Sequence, residues 1–179
     1  MIYLKILILN FFILISSIAY SIESNDARSF IEGIGNQAIK ILKIPVDDRN
    51  KRNEEFRDLL QKKFDMNLIS KAILGKEILK QASEEQISVF AKTLEEHIVR
   101  VYTSQLGVYK GQVFKINETV VKKNDAFVYT SIDTGDTPSY NIVWRVRDKE
   151  DKLKVIDIAV EGVSLLRTKR ADFKMLVDT

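Results

Sequence analysis

The chain holds one histidine, His97, and no cysteine, so nucleophilic catalysis has little to work with. A Cys–His arrangement is excluded, and any Ser–His–acid arrangement must use His97, yet no Gly-x-Ser-x-Gly motif accompanies it. Glu95-Glu96-His97 lacks the second histidine that a helical zinc motif needs, and thiolate ligands are absent. Asp133, Asp136, Asp157 and Glu161 would form an acid/base pair only by accident of folding, and no glycine-rich run resembles a phosphate loop. These observations assign no catalytic residue, no metal ligand and no cofactor, and point away from an enzyme. His97 falls at the border of an apolar helical stripe, where a partly solvated side chain is the plain reading.

What the chain does carry is apolar surface that must be positioned. Met1 precedes a stretch with one charge, Lys5, then an apolar run from Ile6 to Ile15 broken by Asn10, then small residues at Ser16, Ser17, Ala19 and Ser21. This pattern reads as a secretory signal peptide over residues 1–21, which leaves one domain over residues 22–179. A permanent anchor is the competing reading, although the run is short against the roughly 20 residues a spanning helix needs. Without cysteine the domain owes nothing to disulfides in an oxidising compartment. A formal charge of +3 in 179 residues is too near neutral to argue for nucleic acid. The bacterial periplasm suits such a domain.

The mature part divides into a helical half and a β half. Ser24 or Asn25 caps a first helix that carries Phe30, Ile31, Ile34, Ala38, Ile41 and Leu42 and stops at Pro45. A second begins near Asp48 and bears Phe56, Leu59, Leu60 and Phe64, and a third follows Asp65 and closes at Gly75. Ser83-Glu84-Glu85-Gln86 is a capping box, and behind it Ile87, Phe90, Ala91, Leu94, Ile98, Val101, Tyr102 and Leu106 make one apolar stripe. Beyond Gly111 the period turns to alternation, with strands at 113–121, 126–133, 140–147 and 153–163 joined by short links. The expected architecture is α+β, a four-stranded curved antiparallel sheet with several helices on one face, the long fourth helix laid across it.

That arrangement encloses a wedge, toward which the third strand points Tyr140, Ile142, Trp144 and Val146, while Asn141, Arg145 and Arg147 take the other face. Periodicity alone favours plain core over a pocket. Asp157 and Glu161 share a face, either solvated or paired with Arg145, Arg147 or Arg170, and Gly162 permits a bulge or close helix approach. The late basic residues Lys152, Lys154, Arg167, Lys169, Arg170 and Lys174 read as a solvated rim or as a positive mouth for phosphate groups or an acidic partner.

An ordered set of pieces then carries a resemblance. The run Val155 to Phe173 passes through Glu161-Gly162-Val163-Ser164 into a basic, helix-like tail, and upstream lie Phe64-Asp65-Met66, Leu74-Gly75, Phe90, Tyr102, Leu106 and Tyr109. Together they resemble the MlaC family, also called the toluene-tolerance auxiliary family, of periplasmic phospholipid carriers. The resemblance implies a pocket for two acyl tails, with Leu74, Phe90, Leu94, Ile98, Val128, Tyr140, Ile142 and Trp144 as lipid-binding candidates, and Arg167 and Arg170 as headgroup or docking candidates. It implies bound phospholipid as cargo, and as partners an inner-membrane ABC transporter with a lipid-binding substrate domain and an outer-membrane lipoprotein complex. It also implies structural roles for Asp157 and the Glu-Gly-Val-Ser run. Ile78 and Lys169 stand where many relatives have aromatics. Relatives usually extend the last helix further, so part of one pocket wall is expected to be missing or differently built. Two other classes compete: a periplasmic peptide-binding or chaperone module using an apolar groove, and an enzyme on a cone-shaped fold of the nuclear-transport-factor type.

Overall fold

The computed structural model describes residues 22–105, 107–135 and 138–177; residues 1–21, read above as a signal, Leu106 and Asp136 lie outside them. Five helices and one antiparallel sheet follow in order: α1 (Ser24–Leu42), α2 (Arg49–Lys63), α3 (Met66–Leu79), α4 (Glu84–Gln105), β1 (Val113–Lys122), β2 (Asp125–Asp133), β3 (Tyr140–Lys149), β4 (Lys152–Val160), β5 (Val163–Ser164) and α5 (Leu165–Val177). The curved sheet is a meander in chain order, and the α+β reading stands, with a fifth, two-residue strand added to the expected four. That strand exists because Glu161 and Gly162, at φ 47° and 79°, fold the chain into a tight turn after β4. Gly162 therefore serves a turn rather than a bulge.

Local chemistry sets the helix starts. The side chain of Asp48 accepts from Lys51 N at 3.3 Å and that of Asp65 from Leu68 N at 3.0 Å, which satisfies first-turn donors of α2 and α3. Ser83 and Gln86 cap α4 reciprocally, Gln86 N donating to Ser83 Oγ at 3.2 Å and Ser83 N to Gln86 Oε1 at 2.8 Å. The start of α1 differs from expectation: Glu23 is its cap and gives no side-chain bond, because the helix begins one residue before Asn25. The end of α3 differs too. Gly75, at φ 76° and ψ 166°, kinks the helix, which resumes through Leu79.

The main core lies between α1 and the sheet. Ala27, Ile31 and Ile34 are buried against Ala126, Val128, Trp144, Val146 and Val155. Gly35 lets α1 sit directly on β1, since a Cβ there would fall within the Phe114 ring. The other helices lean on the far edge: α2, α3 and α5 touch β4, and α4 rests on α2 and α3 rather than across the sheet. This corrects the expected placement of the long helix. Its main packing partners are those two neighbouring helices, so it forms an outer layer. Two bulges bend the sheet, one between Ile116 and Glu118 and one at Ile156, where both Val155 and Ile156 are buried.

Ion pairs pin the outer parts. Asp125, buried at the β2 entry, accepts from Arg145 Nε at 2.8 Å and from Arg147 Nε at 2.6 Å. Burial pushes its carboxyl up, but the two guanidiniums outweigh this and hold it below the usual range. Asp65 behaves alike: burial raises its pKa, whereas the Leu68 N–H and the Lys149 ammonium at 2.9 Å bring the net shift downward. Lys154 Nζ donates to the carbonyls of Gln61 and Lys62, the end of α2, and its burial there lowers its pKa.

Candidate apolar binding cavity

A cavity of about 150 Å³ opens between α2, α3, α4, β4 and the start of α5. Phe56 and Leu60 of α2, Met66, Ile69 and Ile73 of α3, and Leu94, Ile98 and Tyr102 of α4 form its helical walls. Ile156 and Ile158 of β4 form the floor, and Leu165 and Leu166 of α5 close one side. The helical spacing accounts for the walls: 56 and 60, 66, 69 and 73, and 94, 98 and 102 each fall on one face of their helix. The Ile156 bulge brings that isoleucine inward beside Val155, so the floor is apolar at consecutive positions.

Polar atoms enter at few points, the side chains of Asp157, Lys169 and Tyr102. Asp157 is fully engaged. Its Oδ2 accepts from Ser164 Oγ at 2.7 Å, and its Oδ1 from Ile158 N at 2.8 Å and Leu166 N at 3.2 Å. It fixes the start of α5 against β4, and the expected partners Arg145 and Arg147 are committed to Asp125 instead. Lys169 pairs with Asp172 at 3.3 Å. Such a cavity offers chiefly apolar burial. Its volume falls below the roughly 300–1,000 Å³ of ordinary ligand sites, so the helices must part to admit a ligand of that size.

The candidates named from sequence are divided by this geometry. Leu94 and Ile98 line the cavity. Leu74 is buried in α3 beside the kink, and Phe90 stacks edge-on against Phe173 of α5 at 5.0 Å, outside the cavity lining. Val128, Ile142 and Trp144 belong to the α1 core: Trp144 meets Phe114 at 6.5 Å between ring centres and donates Nε1–H to Thr130 Oγ1 at 2.9 Å. Tyr140 is 49 % exposed. Arg167 is exposed on α5, and the guanidinium of Arg170 lies over Gly75, with Nη2 3.0 Å from where a Cβ would stand. The lining residues of α2, α3 and β4 were visible as apolar periodicity but not as one wall, because their convergence depends on tertiary packing.

His97 is exposed, and Glu161 accepts from Asn141 N at 2.5 Å at the sheet end. Asp133 faces Lys115 at 3.8 Å. Among the described residues no group of three or more acidic or histidine side chains converges as a metal site, and no helix is long and apolar enough to cross a membrane.

An open helix-and-sheet shell around an apolar cavity defines a binding fold. The family model described as MlaC protein matches residues 33–179, and the chain belongs to the MlaC family. Among solved structures, it is similar to a phospholipid-binding protein from Ralstonia solanacearum determined in complex with a phospholipid. The match has a TM-score of 0.72 at 17 % identity and covers 85 % of this chain and 87 % of the other. No individually curated protein sequence matches the chain.

Proposed function

We propose that this protein is a phospholipid carrier of the periplasm, exported by a cleaved signal over residues 1–21, which ferries lipid between an outer-membrane lipoprotein complex and an inner-membrane ABC transporter. The observation that carries this reading is the apolar cavity walled by α2, α3, α4 and β4, in a chain of the MlaC family whose structural neighbour holds a phospholipid.

The physical case rests on solubility. Each buried acyl methylene is worth about 0.8 kcal/mol, so two chains of about sixteen carbons carry on the order of 25 kcal/mol of aversion to water. A carrier needs a dry compartment that opens and closes, and no reacting groups. The layering supports this reading: α4 packs on α2 and α3 rather than on the hydrogen-bonded sheet, so its movement would break no strand ladder. Leu94 and Ile98 are then wall residues, whereas Trp144 and Val128 anchor the sheet that stays fixed.

Delivery is the test that separates a ferry from a lipid sink. Protein loaded with a fluorescent phospholipid and given acceptor vesicles should transfer it at a rate that rises with protein concentration. Transfer no faster than the spontaneous rate would refute carriage.

A further inference from the structure

Two charged side chains reach the apolar cavity, and their situations differ. Among the described residues that line it, Asp157 is the one carboxylate and Lys169 the one cation. Asp157 is spent, because the Ser164 hydroxyl and the backbone N–H groups of Ile158 and Leu166 all donate to it. Lys169 has Asp172 as its ion-pair partner, three residues on along α5 at 3.3 Å, with the two side chains 40 % and 47 % exposed. A pair so open to water contributes little, so a phosphate oxygen can take the ammonium from it.

Position separates this lysine from the other basic residues near the end of the chain. Lys152, Lys154, Arg167, Arg170 and Lys174 stand outside the lining. Lys169 follows Leu165 by four residues and Leu166 by three, so it shares the face that α5 turns to the cavity. One turn further along that face, Phe173 meets the Phe90 ring of α4 at 5.0 Å. The lysine thus stands between the lining leucines and a contact that joins α5 to α4. Its stem lies against apolar walls while its head reaches water, the disposition in which a long cationic side chain marks the border between a dry compartment and solvent. A lipid whose tails fill the cavity must carry its headgroup across such a border. We infer that Lys169 receives the phosphodiester of that lipid, leaving Asp172 as it does so, and gives the chain a preference for phosphate-bearing over neutral diacyl lipid. This rests on the phospholipid carriage proposed above. It places the headgroup at the cavity rim rather than at Arg167 or Arg170.

The test offers lipid-free protein one vesicle population containing equal amounts of phosphatidylglycerol and diacylglycerol with the same acyl chains. The loaded lipids are extracted and their ratio is read by mass spectrometry. Lys169→Met keeps the length of the stem and removes the charge, and should lower the phosphatidylglycerol ratio about tenfold while diacylglycerol still loads. Lys169→Arg should hold the ratio, and Asp172→Asn, which frees the ammonium, should raise it about twofold. Lys174→Met makes the same change of net charge on α5 outside the lining and should leave the ratio as in the wild type. An unchanged ratio in Lys169→Met, an equal fall in Lys174→Met, or a loss of both lipids together in Lys169→Met overturns the assignment and leaves the carrier reading standing. A parallel arm titrates inorganic phosphate: binding to the wild type and not to Lys169→Met, with the same lipid ratio in both, marks a free-anion site and overturns it too. Failure of the wild type to load either lipid overturns both.

Discussion

Placing a carboxyl in the cavity wall turns the proposed carriage into a titration. Leu94 faces the cavity from α4 beside Ile98, one turn away. In the lipid-free protein this half-buried position lets water reach an introduced carboxyl, whose pKa then stays near the ordinary value of about 3.9. With acyl tails packed against it the charged form is desolvated, and burial of this kind raises a carboxyl by about 3 units or more. At about 1.36 kcal/mol per unit, Leu94→Asp should weaken lipid binding by about 4 kcal/mol at pH 7, on the order of a thousandfold. The sign follows from linkage: the bound state has the higher pKa, so it binds more protons. Affinity is then intact below about pH 4, falls about tenfold per unit as pH rises, and levels off above about pH 7. Val89→Asp, on the same helix but 58 % exposed, should leave uptake unchanged at every pH. Fluorescent-lipid binding from pH 4 to 8, with thermal melts of lipid-free protein, measures both. The reasoning is refuted if uptake by Leu94→Asp matches the wild type, if its loss is independent of pH, or if it tracks an equal loss of folding.

Three further perturbations test the fold and its opening. Gly75→Ala forces a side chain into a conformation open essentially to glycine alone, at φ 76° and ψ 166°, and should cost about 1–3 kcal/mol in urea unfolding. Asp125→Asn leaves Arg145 and Arg147 without their carboxylate; because both are part-exposed the loss should be about 1–2 kcal/mol, read as a drop in melting temperature. Asp125 and Asp65 both have depressed pKa values, so the stability they contribute is present above the ordinary carboxylate range and lost as pH falls through it; acid melts of Asp125→Asn should show a shallower decline than the wild type. A disulfide from Asn53→Cys and Thr103→Cys, whose native side chains meet at 2.6 Å, should tie α2 to α4 and slow lipid release until a reductant is added; equal rates in both redox states would show that these helices do not part.

The parts of this fold that were legible in sequence are those decided within a few residues. Asp48, Asp65 and Ser83 cap helices because a short side chain reaches a backbone N–H three residues on, a bond the sequence alone specifies. Alternation likewise gave the strands and put Trp144 and Val146 on one face. Which helices cover that face is a tertiary matter. Trp144 meets α1's core rather than α4, and α4 packs on α2 and α3, so the candidates Val128, Ile142 and Trp144 lie in the α1 core, outside the cavity that Leu94 lines. The Ile156 bulge was invisible because one inserted residue changes which side chains share a face without changing composition.

The central claim is that the chain binds diacyl phospholipid in the cavity between α2, α3, α4 and β4. Native mass spectrometry of full-length protein exported in bacteria and purified without detergent reads this directly. The expected spectrum shows a mass increment of one phospholipid per chain in the wild type and its loss in Leu94→Asp at neutral pH. Folded wild-type protein at the bare polypeptide mass, with no phospholipid recovered on extraction, would contradict it.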